Sequence, residues 1–312
     1  MTLGEDLCVL SGKKNTLTLP AGRQGCCSAL LNINESFNMT NSYRFQQIPK
    51  TRIATFDTFA VGLLKHHISA LLEFDVTDAR LKLRELRKNG INISFNAWLI
   101  KVISVVLQRH PETAAYLYNK KKLIIFDNIN VSIIVEKKLG DSKVPIPLVI
   151  NNANEKSALE ISQEIEKAKD EEFSENNIVL EKESAAYERL YYFLPGFLRR
   201  LFWKTLLKFP KTAYKKMGNV VITSVGMIGK INGWFIQRSV HPISFGVGSI
   251  LKKPVVIENE IKIREILNMT VLVDHDVVDG APMVRFLNDL TYYIETGKEI
   301  KAGGWNNVSN TT

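Results

Sequence analysis

One short segment near the end of the chain, residues 274–280 with the sequence DHDVVDG, constrains the fold more than any other. It follows an apolar run that ends at Val273 and precedes a stretch with helical spacing from Ala281. The segment therefore predicts a buried strand, a tight turn that carries His275, and a final helix. A histidine in this position can act as a general base, because the unperturbed pKa of imidazole lies near neutral pH.

Apolar residues recur at strand and helix spacing in alternation along the main body of the chain. We predict strands at 71–76, 123–126, 131–135, 146–150, 220–222, 244–247 and 255–257, and helices at 77–90, 94–110, 158–168 and 281–295. Ser94 is expected to cap the second helix. The continuous apolar run 131–135 predicts a strand buried on both faces, and Pro147 places 146–150 at a sheet edge. The alternation is typical of a mixed α/β domain.

Length and composition exclude several classes of protein. The 312 residues, of which 45% are apolar and 23% charged, can bury a large core. The sequence has neither an apolar run of about 18 residues nor a signal-peptide pattern at its N-terminus. All three cysteines lie before residue 38, which excludes a disulfide framework or a cysteine nucleophile in the main body and favours a reducing, cytoplasmic location. We expect no metal site, because the sequence has no cysteine cluster and only one close histidine pair, His66 and His67.

Three regions of the chain differ in composition. Residues 1–44 mix Gly, Cys, Ser and Asn without a sustained period, so we expect an N-terminal extension that lacks stable structure. A start of translation at Met39, within that extension, is a hypothesis that mass spectrometry of the native N-terminus would test. Residues 45–300 form the predicted globular domain, and the polar residues 301–312 form a C-terminal tail.

Positive charge is concentrated in a predicted insertion at about residues 185–217. Residues 189–216 hold eight basic residues and no acidic one, and the net charge of the whole chain is +9. The rest of the chain is close to neutral, and we expect no nucleic-acid binding. Five apolar side chains fall on one side of a predicted helix, opposite Arg200 and Lys204. These are Leu198, Leu201, Phe202, Leu206 and Phe209. We expect this side to pack over the domain; the alternatives are an anionic membrane surface or an acidic partner.

Six fragments occur in an order that is similar to one known family. They are residues 94–101 (SFNAWLIK), 110–112 (HPE), 131–135 (VSIIV), 222–226 (ITSVG), 245–248 (FGVG) and 274–281 (DHDVVDGA). This order resembles the dihydrolipoamide acyltransferases, the catalytic components of 2-oxoacid dehydrogenase complexes, whose fold chloramphenicol acetyltransferase shares. The resemblance covers about residues 45–300. It implies an acyltransferase catalytic domain there, with a chloramphenicol acetyltransferase-like mixed β-sheet sandwich and flanking helices.

The resemblance also implies catalytic roles for three residues. His275 would take the proton from an acceptor thiol or hydroxyl as it attacks a coenzyme A thioester, without an acyl-enzyme intermediate. Thr223 matches the family's serine and would donate to the oxyanion; Ser224, which replaces the family's usual asparagine, is the alternative if the alignment shifts by one residue. Asp279 would order the histidine loop, although it is also a good helix N-cap. In the family the site forms between neighbouring subunits of a homotrimer, so His275 and Thr223 would come from different chains.

Other residues near these motifs carry weaker expectations. His66 and His67 lie in a region that lines the acceptor channel of the family, but we expect them to occupy a solvated loop. His110 and His241 each precede a proline, and we expect structural roles for both. Asp276 stands where the family usually has arginine, which reverses a charge beside His275.

The implied partners are an acyl-CoA co-substrate and an acyl acceptor, with no covalently bound cofactor. Residues 1–44 lack a lipoylation turn, so a lipoyl group would be supplied in trans on a carrier protein, or the acceptor would be a free small molecule. The coenzyme A contacts are not assigned. An acetyltransferase for a small hydroxyl or amine acceptor and a non-catalytic trimeric scaffold are the alternatives. Asp274 favours the thiol acceptor, since chloramphenicol acetyltransferase has a second histidine there. The polar tail favours a trimer over a large cubic core.

Overall fold

The computed structural model describes residues 44–48, 51–119, 121–139, 142–170, 191–226, 229 and 231–300. The chain divides into two compact units, Met1–Gln47 and Ile48–Thr312. In the first unit only residues 44–47 are described, and they are exposed and lie in neither helix nor strand. The predicted tail 301–312, and the predicted N-terminal extension except for Arg44, lie outside the described residues.

The second unit is built on a mixed β-sheet with helices. The strands are β1 (His67–Asp75), β2 (Tyr116–Tyr118), β3 (Lys122–Ile124), β4 (Val131–Leu139), β5 (Ser142–Ile150), β6 (Val220–Ser224), β7 (Ile243–Ile257) and β8 (Glu260–Asp274). The α-helices are α1 (Thr51–Gly62), α2 (Thr77–Lys88), α3 (Phe95–Arg109), α4 (Ala158–Asp170), α5 (Gly196–Lys208), α6 (Pro210–Met217) and α7 (Gly280–Glu295). Six strands form one sheet in the order β1-β8-β7-β6-β4-β5, and β2 pairs with β3 separately. The predicted mixed α/β class is confirmed.

The register of the sheet relates residues that are far apart in sequence. β6 runs parallel to both β4 and β7, and Thr223 of β6 pairs with Gly246 of β7. β7 and β8 form a long antiparallel hairpin in which Gly246 pairs with Thr270. β1 lies antiparallel to β8 at one edge, and this pairing places His67 opposite Asp274. The end of β8 and the start of β1 are therefore neighbours.

Helices cover one face of the sheet with apolar side chains. Ile222, Phe245 and Val271 occupy paired positions on β6, β7 and β8, so their side chains point to the same face. All three are buried, and the ring centroid of Phe245 lies 6.4 Å from that of Phe286 on α7. We call this the helix face. Residues one position along each strand, including Thr223, point to the opposite face.

Helix α3 lies in the core beneath the helix face, and its sequence explains why. Buried residues lie on all sides of α3 and most of them are apolar, as expected for a helix inside the core. It begins where predicted, because the Ser94 hydroxyl accepts a hydrogen bond from the Ala97 N–H at 3.2 Å. Trp98 is fully buried, and its indole N–H donates to the carbonyl of Lys298 at 2.8 Å. This bond fixes α3 to the chain that follows α7.

The two strands at the β5 edge agree only partly with the predictions. β5 is an edge strand, as Pro147 predicts, since an edge tolerates a residue without an N–H. The expectation that β4 is buried on both faces is wrong, because the side chain of Ile134 is 53% exposed. The helix face of β4 buries Val131, Ile133 and Val135. Ile134 points to the opposite face of the sheet, where the described residues leave its side chain half exposed.

The predicted strands 244–247 and 255–257 are parts of one strand, β7. A register shift between Val247 and Ile250 marks an irregularity, after which β7 continues to pair with β8 as far as Ile257. The hairpin turns at Glu258 and Asn259, whose φ angles are 50° and 65°, as a tight hairpin turn requires. β7 ends at Ile257, where the second predicted strand ends, but the predicted gap between the two strands was wrong.

The basic segment forms two helices, α5 and α6, because Pro210 begins a new helix and cannot continue the old one. α5 packs against α1, where Arg199 forms an ion pair of 2.6 Å with the buried Asp57. The predicted division of its faces is partly wrong, since Leu201 is 54% exposed and Arg199 points inward. The buried carboxylate of Asp57 needs a cation, which explains the difference. In the described part of the chain, no helix has the length and apolar character needed to cross a bilayer.

Candidate active site

The segment 274–280 forms the connection between β8 and α7, as the sequence predicts. β8 ends at Asp274, residues 275–277 form a turn, and α7 begins at Gly280. The N–H of His275 donates to the carbonyl of His66 at 2.9 Å, which joins the turn to the residue before β1. The side chain of His275 is exposed. Its backbone is thus held in place while its imidazole is open to a ligand.

Asp274 stabilises this turn with hydrogen bonds to its backbone. Its side chain is 2% exposed and forms an ion pair with Lys65. The Asp274 carbonyl accepts the N–H groups of Val277 and Val278 at 3.0 and 3.1 Å, and its carboxylate accepts the N–H of Asp276 at 3.2 Å. A buried carboxylate that has lost its hydration requires such partners. No local pattern in the sequence indicates this role of Lys65, because only the pairing of β1 with β8 brings it to Asp274.

Asp276, which reverses the charge usual in the family, contacts the side chain of His66. The Nδ1 atom of His66 lies 3.0 and 3.1 Å from the two carboxylate oxygens of Asp276. Both side chains are exposed, at 77% and 43%, so water screens this contact. The position of His66 in a solvated loop agrees with the expectation, although its ring also touches the histidine turn.

His67 and His241 support the same region from inside the protein. His67 is not in a loop but begins β1, and its Nε2–H donates to the carbonyl of His241 at 3.1 Å. Partial burial lowers the pKa of His67, and the hydrogen bond to His241 and the nearby charge of Asp274 only partly oppose this shift. His241 donates from Nε2 to the carbonyl of Met217 at 2.9 Å, and complete burial lowers its pKa to about 4. His241 therefore has a structural position, as predicted.

His110 also has a structural position. Its Nε2 lies 2.8 Å from a carboxylate oxygen of Asp289 on α7, and its ring centroid lies 5.9 Å from that of Phe286. His110 follows the last residue of α3, so these contacts join the end of α3 to α7. His110 therefore contacts the middle of α7, and these contacts do not include the turn that carries His275.

Asp279 is the residue before α7, but it does not cap the helix with its side chain. Its backbone is extended, with φ −78° and ψ 169°, and no side-chain capping bond is formed. The Asp279 carbonyl accepts the N–H of Met283 at 3.2 Å, while the carboxylate is exposed. The structure therefore does not support the capping alternative for the Asp279 side chain. Its carboxylate is open on the same connection that carries His275.

Thr223 lies far from His275 within one chain. Register places Thr223 beside Gly246 and, one strand further, Thr270, which precedes Asp274 by four residues along β8. Four residues of strand span about 13 Å, and two strand spacings span about 10 Å, so the two sites are separated by on the order of 15 Å. The structure does not bring Thr223 and His275 together in one chain.

Thr223 and its neighbour Ser224 point in opposite directions. Side chains alternate along a strand, so Ser224 shares the helix face with Ile222, and Thr223 lies on the opposite face. Thr223 is half-buried, and the hydrogen bonds found among the described residues do not include one from its hydroxyl. Of the two candidates, Thr223 is the one with its hydroxyl directed away from the core.

A loop formed by residues 231–242 covers part of the face that carries Thr223. The indole N–H of Trp234 donates to the carbonyl of Leu72 at 2.9 Å, and the amide of Gln237 donates to the Ser244 hydroxyl at 2.9 Å. The loop packs so closely that a Cβ on Gly246 would lie 2.4 Å from Oε1 of Gln237. Gly246 therefore permits this close approach beside Thr223, which explains a glycine in the fragment 245–248.

A second glycine permits close packing at the end of β6. A Cβ on Gly226 would lie 2.1 Å from the carbonyl oxygen of Gly248, so a side chain there would displace backbone. The Val225 N–H donates to the carbonyl of Val247 at 3.0 Å and continues the strand pairing beyond Ser224. The fragment 222–226 thus holds the end of β6 against β7. Among the described residues, no group of three or more His, Cys, Asp or Glu side chains is placed to hold a metal ion.

The model of one protein family matches most of the chain. The family is described as 2-oxoacid dehydrogenases acyltransferase (catalytic domain), and the match covers residues 50–178 and 211–301. Residues 179–210, which include all of α5, have no counterpart in the match. The predicted insertion at about residues 185–217 overlaps this unmatched segment without sharing its bounds.

Curated relatives are similar over most of this chain. The chain is 25% identical over 262 residues to the dihydrolipoyllysine-residue acetyltransferase component of the pyruvate dehydrogenase complex of Corynebacterium glutamicum, covering 80% of this chain and 33% of that protein. It is 26% identical over 247 residues to the corresponding component of Mycoplasma genitalium, covering 76% and 55% respectively. The chain thus spans between a third and about half of the length of these relatives.

Solved structures share the fold. A probable dihydrolipoamide acetyltransferase from Listeria monocytogenes is 23% identical, with a TM-score of 0.60 and coverage of 84% of this chain and 99% of that one. The dihydrolipoamide acetyltransferase of Azotobacter vinelandii is 18% identical, with a TM-score of 0.59 and coverage of 84% and 96%. That structure was used to investigate a serine, a histidine and an asparagine in its catalytic mechanism; the serine precedes the histidine by 52 residues and the asparagine follows it by 4. These likenesses confirm the predicted fold class.

Proposed function

The chain belongs to the family of 2-oxoacid dehydrogenase acyltransferases, and from this premise we propose that it moves an acyl group between coenzyme A and a thiol acceptor such as dihydrolipoamide. The observation that carries the proposal is the position of His275. Its backbone is fixed by the hydrogen bond to His66 and by the buried Asp274, while its ring is exposed. A general base needs this combination of a fixed position and access to the acceptor.

The spacing of the candidate residues supports the same assignment. Thr223 precedes His275 by 52 residues and Asp279 follows it by 4. Both intervals equal those of the serine, histidine and asparagine investigated in the Azotobacter vinelandii enzyme. The agreement favours Thr223 over Ser224 as the hydroxyl donor, and so does the direction of its side chain away from the core. Asp279 takes the place of the asparagine and would order the turn.

The proposed reaction is a direct transfer between two sulfur atoms. A ring nitrogen of His275 takes the proton of the acceptor thiol, and the sulfur attacks the thioester carbonyl carbon. The carbonyl oxygen becomes an oxyanion, which the Thr223 hydroxyl stabilises by donating a hydrogen bond. When the carbon–sulfur bond to coenzyme A breaks, the leaving thiolate takes the proton back from the imidazolium. His275 thus ends in its starting state, and no acyl-enzyme forms.

The separation of Thr223 and His275 implies that a complete site needs two copies of the chain. A hydroxyl on the order of 15 Å from the base cannot donate to an oxyanion formed beside that base. We therefore propose a homotrimer in which each site takes His275 from one copy and Thr223 from its neighbour. A closed ring of identical head-to-tail contacts provides one such site at every interface.

The acyl acceptor is proposed to arrive on a separate molecule. The curated relatives are named dihydrolipoyllysine-residue acetyltransferases, so the lipoyl group on which they act is carried by a lysine residue. A lipoylated carrier protein in trans, or free dihydrolipoamide, would supply the thiol to His275 here. The proposed co-substrate is an acyl-CoA, and no covalently bound cofactor takes part.

The test is thiol release from acetyl-CoA with dihydrolipoamide as the acceptor, comparing the unchanged protein with His275→Ala. We expect turnover that the substitution reduces by at least about a hundredfold, which is the usual effect of losing a general base. His110→Ala is the matched control, because this histidine lies on a different part of the fold. Turnover with small alcohols or amines but not thiols would favour the alternative acetyltransferase. The absence of turnover with several acyl-CoAs and acceptors would favour a non-catalytic scaffold.

A further inference from the structure

Helix α5 lies in the segment 179–210 that the family model does not match, so the family's shared chemistry does not explain it. One side of α5 is fixed to the body of the protein. Arg199 pairs with Asp57, the Tyr191 hydroxyl donates to Asp57 at 3.0 Å, and the indole N–H of Trp203 donates to the Tyr191 oxygen at 3.0 Å. These bonds determine which side of α5 faces outward.

The outward side of α5 carries large apolar side chains. Phe197 and Leu201 are one helical turn apart, and they are 65% and 54% exposed. Phe202 and Phe209, beside this stripe, are 49% and 60% exposed, and Phe193 just before the helix is 87% exposed. Within α5 itself no side chain is fully buried. Clustered exposed aromatic residues of this kind mark an interaction surface.

Cations share the outward side of α5 with Phe197 and Leu201. Arg200, Lys204 and Lys208 recur every four residues along α5, and all three are exposed. Residues 191–217 include no Asp or Glu, so no carboxylate of this segment neutralises them. Lys211 and Lys215 continue the exposed positive charge onto α6. The partner of this surface should therefore be anionic as well as able to take up apolar side chains.

We propose that the outer face of α5, formed by Phe197, Arg200, Leu201, Lys204 and Lys208, binds a membrane surface that contains anionic lipid. Phenylalanine and leucine can enter the boundary of the acyl chains while lysine and arginine reach the phosphates, which is how amphipathic helices lie in an interface. The association is peripheral, since the described helices are too short or too polar to span the bilayer. The proposal does not rest on the acyltransferase activity.

Vesicle flotation tests the proposal with the full chain. Phosphatidylcholine vesicles with and without phosphatidylglycerol are mixed with the protein at low and high salt. We expect flotation only with the anionic vesicles, and release at high salt, because salt screens the attraction between exposed charges. Equal flotation with neutral vesicles, or no flotation with either, would overturn the proposal.

Paired substitutions locate the binding surface. Arg200→Gln with Lys204→Gln should weaken binding by roughly fivefold for each charge removed. Phe197→Ser with Leu201→Ser should weaken binding even at low salt. The matched controls are Lys88→Gln with Lys167→Gln, and Ile261→Ser with Ile263→Ser, which change exposed residues on other elements. Both controls should float like the unchanged protein, and thermal unfolding should report folded protein for every variant.

Two further outcomes contradict the proposal. If the control pairs lose binding as much as the α5 pairs, then attraction depends on total charge or hydrophobicity and the outer face of α5 has no special part. If the protein ignores vesicles but binds immobilised polyglutamate in a manner that depends on Arg200 and Lys204, the partner is an acidic polypeptide. Either result would show that the outer face of α5 is not a membrane-binding surface.

Discussion

Lys65 and Asp274 form an ion pair directly beneath the turn that carries His275, although 209 positions of sequence separate them. The Asp274 side chain is 2% exposed, and Lys65 reaches it from the loop before β1. The pair therefore links the stability of the fold with the position of the proposed base.

Substitution of Lys65 by methionine should destabilise the protein, because it leaves the Asp274 carboxylate buried without its cation. We expect the free energy of unfolding to fall by about 3 kcal/mol, the lower end of the range for breaking a buried pair, since Lys65 is 18% exposed. Urea denaturation measures the change. Asp274→Asn is the companion variant: it removes the charge but can still accept the Asp276 N–H, so its loss should be smaller. An unchanged midpoint for Lys65→Met would show that the pair contributes nothing.

Thr223→Ala should lower kcat by about a hundred- to a thousandfold, the usual effect of removing an oxyanion donor. Thr223→Ser keeps the hydroxyl and should retain most of the rate. Ser224→Ala is the control, because Ser224 points to the helix face and should lose little. Steady-state kinetics with acetyl-CoA and dihydrolipoamide separate the three variants. The opposite ranking, with Ser224→Ala inactive and Thr223→Ala active, would move the donor by one position.

Mixing His275→Ala chains with Thr223→Ala chains should restore part of the activity that each variant lacks alone. If the site lies between copies, some interfaces combine an intact histidine with an intact threonine. With random mixing of equal amounts, roughly one site in four is complete. Activity is measured after dissociation and reassembly of the mixture, with each variant treated alone as the control. A mixture as inactive as its components would contradict a shared site.

Stability should decrease below neutral pH because His241 stays neutral in the folded protein. Burial lowers its pKa to about 4, from 6.5 in the unfolded chain. Between these two values the unfolded chain binds a proton that the folded protein does not. Each pH unit of decrease therefore costs up to about 1.4 kcal/mol, and the effect is absent above pH 6.5.

The His241→Gln variant checks this pH dependence, since its amide can still donate to the Met217 carbonyl. Urea midpoints measured for both proteins between pH 4 and 7 should fall less steeply with decreasing pH in the variant. His110→Gln is the control for removing a histidine elsewhere. Parallel curves for the unchanged protein and His241→Gln would mean that other groups cause the acid sensitivity.

Local sequence patterns predicted the elements that carry the site but not the contacts between them. The cap at Ser94 and the turn at His275 depend on residues within a few positions, and both were predicted from neighbours in sequence. The edge position of β5 followed from Pro147 for the same reason. Such features require no knowledge of the rest of the fold.

Contacts across the sheet were not predictable in this way. The pairs Lys65–Asp274 and His66–Asp276 exist because β1 lies beside β8, and no spacing pattern reports that register. The long strand β7 was divided because Lys252, Lys253 and Pro254 interrupt its apolar residues, yet the β8 backbone continues to pair with them. The prediction of which side of α5 faces the protein was partly wrong, because the buried Asp57 pairs with Arg199. This tertiary contact cannot be read from the periodicity of apolar residues.

The distance between Thr223 and His275 determines how active a newly made chain is before it assembles with other copies. Under the proposed arrangement a lone copy holds a base without an oxyanion donor, so it should transfer acyl groups about a hundred- to a thousandfold more slowly than an assembled site. Efficient catalysis then requires assembly, and specific activity rises with protein concentration until assembly is complete. The amount of the protein, and not only its presence, would decide when thioesters are consumed.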